Sequence, residues 1–333
     1  MAKFLIIRFS SIGDIVLTTP VVRCLRKKYP DAIIHFLTKQ SFKSILSSNP
    51  YIDKIHTLGS SFELMLHELK TEDYDCIIDL HHNLRTLQIK RFLAGVKSFS
   101  FNKLNVEKFI YTNFKINTLP KKHIVDRALE SIASLGVEND GLGLDYFIPI
   151  ADKIKKNDLP TAHMYGYVAI VIGAALATKK MPLHKLKELC NAIKYPIVLL
   201  GAKEDMEEGM AIATVDDIKI YNACGKFNLN ESADIVANAK LVITHDTGLM
   251  HIAAAFQKPI ISIWGNTVPD FGMYPYYGSL SSQHFDVVEI KNLWCRPCSK
   301  IGYKKCPKAH FKCMELIAVT DIVNMAHQKI SQK

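Results

Sequence analysis

Residues 241–265 have the sequence LVITHDTGLMHIAAAFQKPIISIWG, and this stretch decides the fold class. It begins with a short β-branched run, Leu241 to Thr244, that predicts a buried strand, and Ile260 to Ile263 predicts a second one. Between them, small and apolar residues from about Leu249 to Phe256 predict a helix, which Pro259 ends. Strand, crossover helix and strand form a βαβ unit, so the two strands should be parallel.

A polar turn, His245-Asp246-Thr247-Gly248, joins the first strand to the helix. In parallel sheets, ligands bind beyond the carboxyl ends of the strands, where this turn lies. The helix start offers free N–H groups and the positive end of the helix dipole, and Gly248 allows close approach to the backbone. The turn therefore predicts an anion site, with phosphate as the favoured anion. The alternative is that Asp246 or Thr247 merely caps the helix.

The same alternation of strands and helices runs through the whole chain, on both sides of a polar, proline-bounded linker at 148–162. It predicts an α/β protein with two doubly wound, Rossmann-like parallel-sheet domains, residues 1–150 and 163–314, followed by a C-terminal helix within 315–333. The predicted strands lie at 3–8, 32–37, 54–58, 76–80, 167–172, 197–200, 218–221, 241–244 and 260–263. The predicted helices include 14–28, 41–48, 60–70, 123–135, 182–193, 204–213, 230–238 and 315–328.

Composition limits the function classes. The chain has 333 residues, about two domains, and its 48% hydrophobic and 22% charged residues are ordinary for a soluble globular protein. Only Phe4 to Ile7 separate Lys3 from Arg8, which is too short for a signal peptide. No uncharged apolar run approaches the roughly 20 residues of a membrane span. We therefore expect a cytoplasmic protein whose contact with a membrane is at most peripheral.

The net charge of +10 is unevenly distributed. Residues 81–122 contain nine Lys or Arg and a single acid, Glu107. Such a block suits an anionic partner, which could be a phosphorylated glycolipid, a phospholipid surface or nucleic acid; the alternative is a solvated face without a partner. Aromatic residues in the block would fit nucleic-acid binding. That interpretation gives no role to Asp14, which lies at the turn between the first strand and its helix, or to the turn at 246–251, so we expect no nucleic acid.

Two motifs resemble glycosyltransferase family 9, the bacterial heptosyltransferases of lipopolysaccharide core synthesis. Asp246-Thr247-Gly248-x-x-His251 resembles the family's donor-site signature, and residues 8–20, RFSSIGDIVLTTP, resemble its N-terminal motif. Because the motifs stand at opposite ends of the chain, the resemblance covers nearly all of it. It implies the GT-B arrangement, in which two Rossmann-like domains face a cleft, the first binding the acceptor and the second the sugar nucleotide. The C-terminal helix would pack back toward the first domain, and the enzyme would contact the inner face of the bacterial inner membrane peripherally.

The resemblance also implies a reaction, the inverting transfer of heptose from ADP-heptose to the inner core of a lipopolysaccharide or lipid A precursor. Such a transfer needs a base on the acceptor hydroxyl and stabilisation of the leaving diphosphate. Asp14 matches the family's proposed base, although an Asp that caps the helix would look the same. The acceptor side would use Ser10, Ser11, Gly13 and Arg85. Two alternatives stay open: the same fold with another nucleotide sugar or acceptor, and, more remotely, a nucleic-acid-binding protein with a zinc loop.

Eight residues form the donor site that the resemblance implies. Lys179 would bind phosphate, although Met181 stands where the family usually has Trp. Asp205 would bind the ribose, with Glu204 as the alternative carboxylate, and two apolar residues would line the adenine pocket. The eight are Lys179, Asp205, Phe227, Leu229, Asp246, Thr247, Gly248 and His251.

Four of the eight cysteines crowd into 19 residues near the C-terminus, as Cys295-x2-Cys298-x7-Cys306-x6-Cys313. In a cytoplasmic protein this spacing favours a structural Zn²⁺ loop, with reduced thiols or redox pairing as alternatives. We expect no cofactor for catalysis, because the helix start and Lys179 would stabilise the diphosphate. The D-x-D sequence at 73–75 precedes a strand instead of following one, which indicates a surface turn.

Overall fold

The computed structural model describes residues 1–59, 61–280 and 284–331, which form eleven strands and twelve α-helices. The first sheet contains β1 (Lys3–Ile7), β2 (Ile33–Lys39), β3 (Lys54–Leu58), β4 (Cys76–Asp79) and β5 (Lys97–Ser100). The second contains β6 (Val168–Val171), β7 (Ile197–Leu200), β8 (Ile220–Asn222), β9 (Leu241–His245), β10 (Ile260–Trp264) and β11 (Phe285–Glu289). The strand orders are β3-β2-β1-β4-β5 and β11-β10-β9-β6-β7-β8.

The helices follow the strands in alternation. In the first half of the chain they are α1 (Ile12–Val16), α2 (Thr19–Lys28), α3 (Phe62–Lys70), α4 (Leu84–Phe92), α5 (Asn105–Phe114) and α6 (Ile124–Glu130). In the second half they are α7 (Leu183–Ala192), α8 (Met206–Ala213), α9 (Leu229–Asn238), α10 (Gly248–Ala255), α11 (Lys312–Glu315) and α12 (Val319–Ser331). None of the helices in the described ranges is long and apolar enough to cross a membrane.

Paired strands in both sheets are parallel, which confirms the predicted α/β class. In the βαβ unit at 241–265, β9 and β10 lie side by side with Ile243 opposite Ile261. Each of the nine predicted strands is present. The two that the sequence pattern missed, β5 and β11, are edge strands with mostly half-exposed or exposed residues. They lack the continuous apolar run by which a buried parallel strand is recognised.

Three helix predictions differ from the structure. The helix expected at 123–135 ends at Glu130, and a 3₁₀ turn follows at Ala133–Leu135. The single helix expected at 14–28 is broken into α1 and α2, because Pro20 lacks an N–H group and is accommodated in the first turn of a new helix. The helix expected at 41–48 is a 3₁₀ helix over Gln40–Ile45. The linker at 148–162 forms short 3₁₀ turns and is held on α9, where the N–H of Ile154 donates to Asp234 at 3.0 Å.

The C-terminal helix does not pack back toward the first domain, which corrects the expectation for residues 315–333. That segment contains the last residue of α11 and the whole of α12, which packs on α7, β9 and β10 of the second domain. Its buried residues Val319, Ile322 and Ala326 join Leu186 and Leu189 in the second domain's core. The apolar side of α12 is thus covered by α7 and by strands β9 and β10 of the second sheet.

A buried arginine fixes the segment that follows α6 onto α2. Arg23 is almost inaccessible, and its Nε and Nη2 donate to the two carboxylate oxygens of Asp140 at 2.9 Å each. Nη2 also donates to the carbonyl of Gly143 at 2.8 Å, and Nη1 pairs with Asp145. The half-exposed Lys27 reaches the same carboxylate from outside, at 2.6 Å. Two acids therefore depend on Arg23 for their charge compensation.

Arg23→Met should lower the free energy of unfolding by about 3–5 kcal/mol, because it leaves the poorly solvated Asp145 without a counterion and Asp140 with the exposed Lys27 alone. Lys27→Met is the matched control, since it removes an exposed partner of the same Asp140, and it should cost about 1 kcal/mol or less. Urea unfolding followed by circular dichroism measures both. Equal losses in the two variants would show that the buried pairing is not what holds this segment.

Candidate functional site

A cleft of about 920 Å³ lies between the carboxyl ends of the two sheets. All eight residues of the predicted donor site line it, as do Ser11, Gly13 and Asp14 from the first domain. Ser10 lies beside it, where its carbonyl accepts a hydrogen bond from Arg8 Nε at 2.9 Å. The structure therefore brings together the two sequence motifs that stand more than 200 residues apart.

The two motifs meet where α1 and α10 cross. A Cβ added at Gly13 would lie 2.5 Å from Cδ2 of His251, and one added at Gly248 would lie 2.7 Å from Cγ2 and 2.8 Å from Cβ of Ile12. Carbon atoms that are not bonded cannot approach so closely, so both positions need glycine for the helices to touch. Gly248 thus serves contact between the domains, a role that the sequence interpretation had not assigned to it.

Asp14 lies in the first turn of α1 with both of its oxygens engaged. Oδ1 pairs with Arg8 Nη2 at 2.5 Å, and Oδ2 accepts from the Ser11 N–H at 3.0 Å and the Ser11 hydroxyl at 2.7 Å. Burial alone would raise the pKa of Asp14, but Arg8 and the hydrogen bonds from Ser11 bring it below its ordinary value. Asp14 is therefore an ionised carboxylate at neutral pH, and it also closes the first turn of its helix.

His251 is buried in α10 and lies against Gly13. The negative charges of Asp14 and Asp246 both act on its imidazole. Burial, together with the charge of Lys179, lowers its pKa to about 4 against the opposing effect of the two acids. Its imidazole is thus neutral at physiological pH. Its Nδ1 has no hydrogen-bond partner among the described residues.

The start of α10 collects the groups that an anion needs. Thr247 is the N-cap residue, and its hydroxyl lies 3.2 Å from that of Thr244. Lys179 Nζ lies 2.7 Å from Asp246 Oδ2 and donates to the Asp246 carbonyl at 3.3 Å, while the Thr267 hydroxyl donates to the same carboxylate at 3.0 Å. A helix N-terminus and an ammonium group therefore face one point of the cleft.

Asp205 and its neighbour Glu204 differ sharply in their surroundings. Asp205 is buried; its Oδ1 pairs with Lys180 at 2.8 Å and its Oδ2 accepts from the Ala202 N–H at 2.9 Å. A Cβ at Gly173 would lie 2.3 Å from Asp205 Oδ2, so the carboxylate fills the space left by that glycine. Glu204 is exposed to the cleft and has no partner among the described residues. Of the two carboxylates, Glu204 is the one free to accept from a ligand.

A group of four cations lies close together beside Arg8 and Asp14, and one of them, Lys300, lines the cleft; the sequence interpretation did not single this group out. Burial, followed by the charges of Arg127 and Lys300, lowers the pKa of Lys108 to about 8, and burial and Arg8 lower the pKa of Lys103. The Nε and Nη1 atoms of Arg127 are buried without a partner among the described residues. Lys103 and Lys108 belong to the basic block, whereas no pattern in the sequence assigns Arg127 or Lys300 to the binding of an anion.

Arg85 is not part of this arrangement. It is exposed at the start of α4 and lines a separate depression with Lys39 and Gln88, whereas the cleft is lined near Asp14 by Lys300. The structure therefore does not bring Arg85 together with the rest of the predicted acceptor site.

The predicted zinc loop does not form a metal cage in this structure. Among the described residues, only one group of three or more His, Cys, Asp or Glu side chains has its ligand atoms within 4.8 Å of one another, and it contains no cysteine. Cys313 is buried in the second domain's core, and the thiol of Cys298 donates to the carbonyl of Cys295. All the cysteines, Cys295, Cys298, Cys306 and Cys313 included, are free thiols.

The group that does gather consists of His35, His56 and Glu72, at the amino edge of the first sheet. The Tyr74 hydroxyl lies 2.8 Å from His35 Nδ1 and 3.1 Å from His56 Nε2, so the imidazoles are already hydrogen-bonded. Two lysines pair with Glu72 and lower its pKa to about 2. The predicted surface turn at 73–75 is confirmed for its two exposed aspartates, while Tyr74 is buried in this cluster.

Comparison with known proteins identifies the family to which this chain belongs. The sequence profile of glycosyltransferase family 9 (heptosyltransferase) matches residues 64–308. The chain belongs to this family. Lipooligosaccharide heptosyltransferase 2 of Haemophilus influenzae is 28% identical to this family 9 enzyme over 298 residues, 81% of this chain and 85% of that protein.

Solved structures show the same fold. A glycosyltransferase family 9 structure from Veillonella parvula has a TM-score of 0.79 at 22% identity and covers 100% of this chain and 98% of that one. ADP-heptose lipopolysaccharide heptosyltransferase II of Escherichia coli has a TM-score of 0.75 at 20% identity and covers 99% of each chain. The predicted GT-B arrangement is confirmed.

The crossing of α1 and α10 can be tested by a double-mutant cycle. Gly248→Ala should lower the free energy of unfolding by about 1–3 kcal/mol, because the new methyl group overlaps Ile12. In an Ile12→Gly background, where the opposing side chain is absent, the same substitution should cost clearly less. Urea unfolding of the four proteins gives the coupling. Equal costs in both backgrounds would mean that contact with the Ile12 side chain is not the reason why position 248 needs glycine.

Proposed function

We propose that this family 9 enzyme transfers heptose from ADP-heptose to the inner core of a lipopolysaccharide precursor with inversion of configuration, and that Asp14 is the general base. The observation that carries the proposal is the meeting of Asp14 with the start of α10 and Lys179 in one cleft between the domains. The names of the Haemophilus influenzae and Escherichia coli relatives support heptose as the sugar and lipopolysaccharide as the acceptor.

The donor binds on the second domain. Its diphosphate takes the place of the Asp246 carboxylate beside Lys179 and accepts from the free N–H groups at the start of α10. The adenine lies against Phe227 and Leu229, which line the cleft from the segment that opens α9. We assign the ribose hydroxyls to Glu204, because Asp205 is already neutralised by Lys180.

The chemistry needs one carboxylate and a stabilised leaving group. The acceptor hydroxyl attacks the anomeric carbon as the bond to the diphosphate breaks, and Asp14 takes the hydroxyl proton as that oxygen becomes more acidic in the transition state. A single displacement inverts the anomeric centre. The charge that develops on the diphosphate is stabilised by Lys179 and the α10 dipole, which supply the positive charge that the reaction requires. We expect no metal in this step.

The acceptor carries phosphate or carboxylate groups, and four cations stand ready for them on its side of the cleft. Their partly buried positions make them better anion receptors than fully solvated lysines, because water competes less for the charges. Arg127 forms no ion pair with a carboxylate within the described part of the chain, so its positive charge adds to the attraction for a phosphate. The four are Lys103, Lys108, Arg127 and Lys300.

Asp14→Asn should lower turnover by about 10² or more, because the amide cannot take the proton, and it should leave ADP affinity nearly unchanged. Steady-state kinetics and calorimetric titration of ADP measure the two quantities, and the urea midpoint shows whether the helix cap has survived. A folded variant with near-normal turnover would leave Asp14 with its capping role alone.

Lys179→Ala should weaken ADP binding by about tenfold to a hundredfold, since it removes one charged contact worth about 1.5–3 kcal/mol. Lys300→Ala is the matched control from the opposite wall of the cleft; it should raise KM for the acceptor and leave ADP affinity unchanged. Calorimetry with ADP and kinetics with the acceptor separate the two. If Lys300→Ala weakened ADP binding as much as Lys179→Ala, the division of the cleft into donor and acceptor sides would be wrong.

A further inference from the structure

Helix α5 is amphipathic with its apolar side turned to solvent. None of its ten residues, all within the described ranges, is buried. Val106, Phe109 and Phe114 are 68%, 59% and 64% exposed, and Ile116 just after the helix is 58% exposed. At about 100° per residue, the three helical side chains fall on one side of α5, and Lys108 and Tyr111 fall on the other.

The polar side of α5 is fixed to the second domain. The Tyr111 hydroxyl donates to Asp270 at 2.9 Å, Lys115 Nζ donates to the carbonyl of Pro297 at 2.7 Å, and Lys300 Nζ donates to Asn105 at 3.2 Å. These contacts span the length of the helix from its first residue to its C-cap. The exposure of the phenylalanines is therefore imposed by the docking of the opposite side.

The second-domain loop that holds α5 extends the apolar surface. Trp294, Ile301 and Tyr303 are 65%, 59% and 42% exposed, and Ile301 also lines the cleft. The surrounding sequence is strongly basic: residues 103–122 contain one acid, Glu107, and residues 291–313 contain none. We call this combination of α5, Ile116 and the loop 291–305 the basic aromatic surface.

We propose that the basic aromatic surface docks this enzyme on an anionic lipid bilayer. Aromatic and aliphatic side chains of a surface helix insert at the boundary of headgroups and acyl chains, and lysines around them are attracted to anionic headgroups. A second copy of the chain fits less well, because a two-fold contact would place one basic surface against another. The proposal deepens the proposed function, on which it rests, by placing the cleft mouth at Ile301 and Lys300 beside the membrane that holds a lipid-linked acceptor.

Vesicle co-sedimentation tests the proposal without donor or acceptor. The wild-type enzyme should bind vesicles of equimolar phosphatidylcholine and phosphatidylglycerol, and only weakly those of phosphatidylcholine alone. Phe109→Ser with Phe114→Ser should weaken binding to the anionic vesicles by about tenfold or more, since both side chains lose their burial in lipid. Lys304→Ser with Lys305→Ser should weaken it by about tenfold at low salt and less at high salt.

Tyr165→Ser with Ile218→Ser is the matched control, because these side chains are 90% and 79% exposed elsewhere on the enzyme and should not affect vesicle binding. The phenylalanine variant should also lose transfer to an acceptor embedded in vesicles and keep transfer to a delipidated core oligosaccharide.

Absence of vesicle binding by the wild type, or equal losses in control and phenylalanine variants, would overturn the proposal. The proposal would also be overturned if the wild-type enzyme were a dimer that the phenylalanine variant dissociates, or if RNA displaced the enzyme from vesicles. An enzyme that binds vesicles by this surface but does not use ADP-heptose would contradict the proposed function alone.

Discussion

The contact of α1 with α10 is the constraint on which the rest of the cleft depends. At this crossing the backbone of each domain meets a side chain of the other, and there is no room for a Cβ at Gly13 or Gly248. The crossing places Asp14 from the first sheet beside the start of the helix that follows β9. A cleft built on such a contact is sensitive to one methyl group, because packed interiors do not yield to added volume without strain.

The electrostatics of the cleft follow from the same geometry. Asp14 pairs with Arg8 and accepts hydrogen bonds from Ser11, and these contacts keep its pKa below the ordinary value. The carboxylate therefore stays ionised although it is poorly solvated. A carboxylate of low pKa is a weak base in the ground state, so its catalytic use depends on a proton that becomes acidic only as the new bond forms. The same oxygens close the first turn of α1. The functional and capping interpretations of Asp14 are therefore compatible in one structure.

The parts that could be predicted from sequence are those with a local signal. The strands of the unit at 241–265 are marked by continuous apolar runs and its turn by polar residues. The residues of the donor side of the cleft lie in segments of this kind, so they could be predicted. The packing of α12 was not predictable, because its apolar side fits either domain and only the three-dimensional path of the chain decides between them. No pattern in the sequence assigns Arg127 or Lys300 to the acceptor side, whereas Arg85 had the motif and lies in a separate depression. The cysteines have metal-like spacing, but Cys313 is packed among apolar side chains, and no spacing rule reports that.

A crystal structure of the enzyme with a non-hydrolysable ADP-heptose analogue would test the central claim most directly. The account predicts that the diphosphate lies within hydrogen-bond distance of Lys179 Nζ and the first N–H groups of α10. It also predicts that the Asp14 carboxylate faces the anomeric carbon from the side opposite the diphosphate. A diphosphate bound on the first domain, or a sugar whose anomeric carbon is turned away from Asp14, would contradict it.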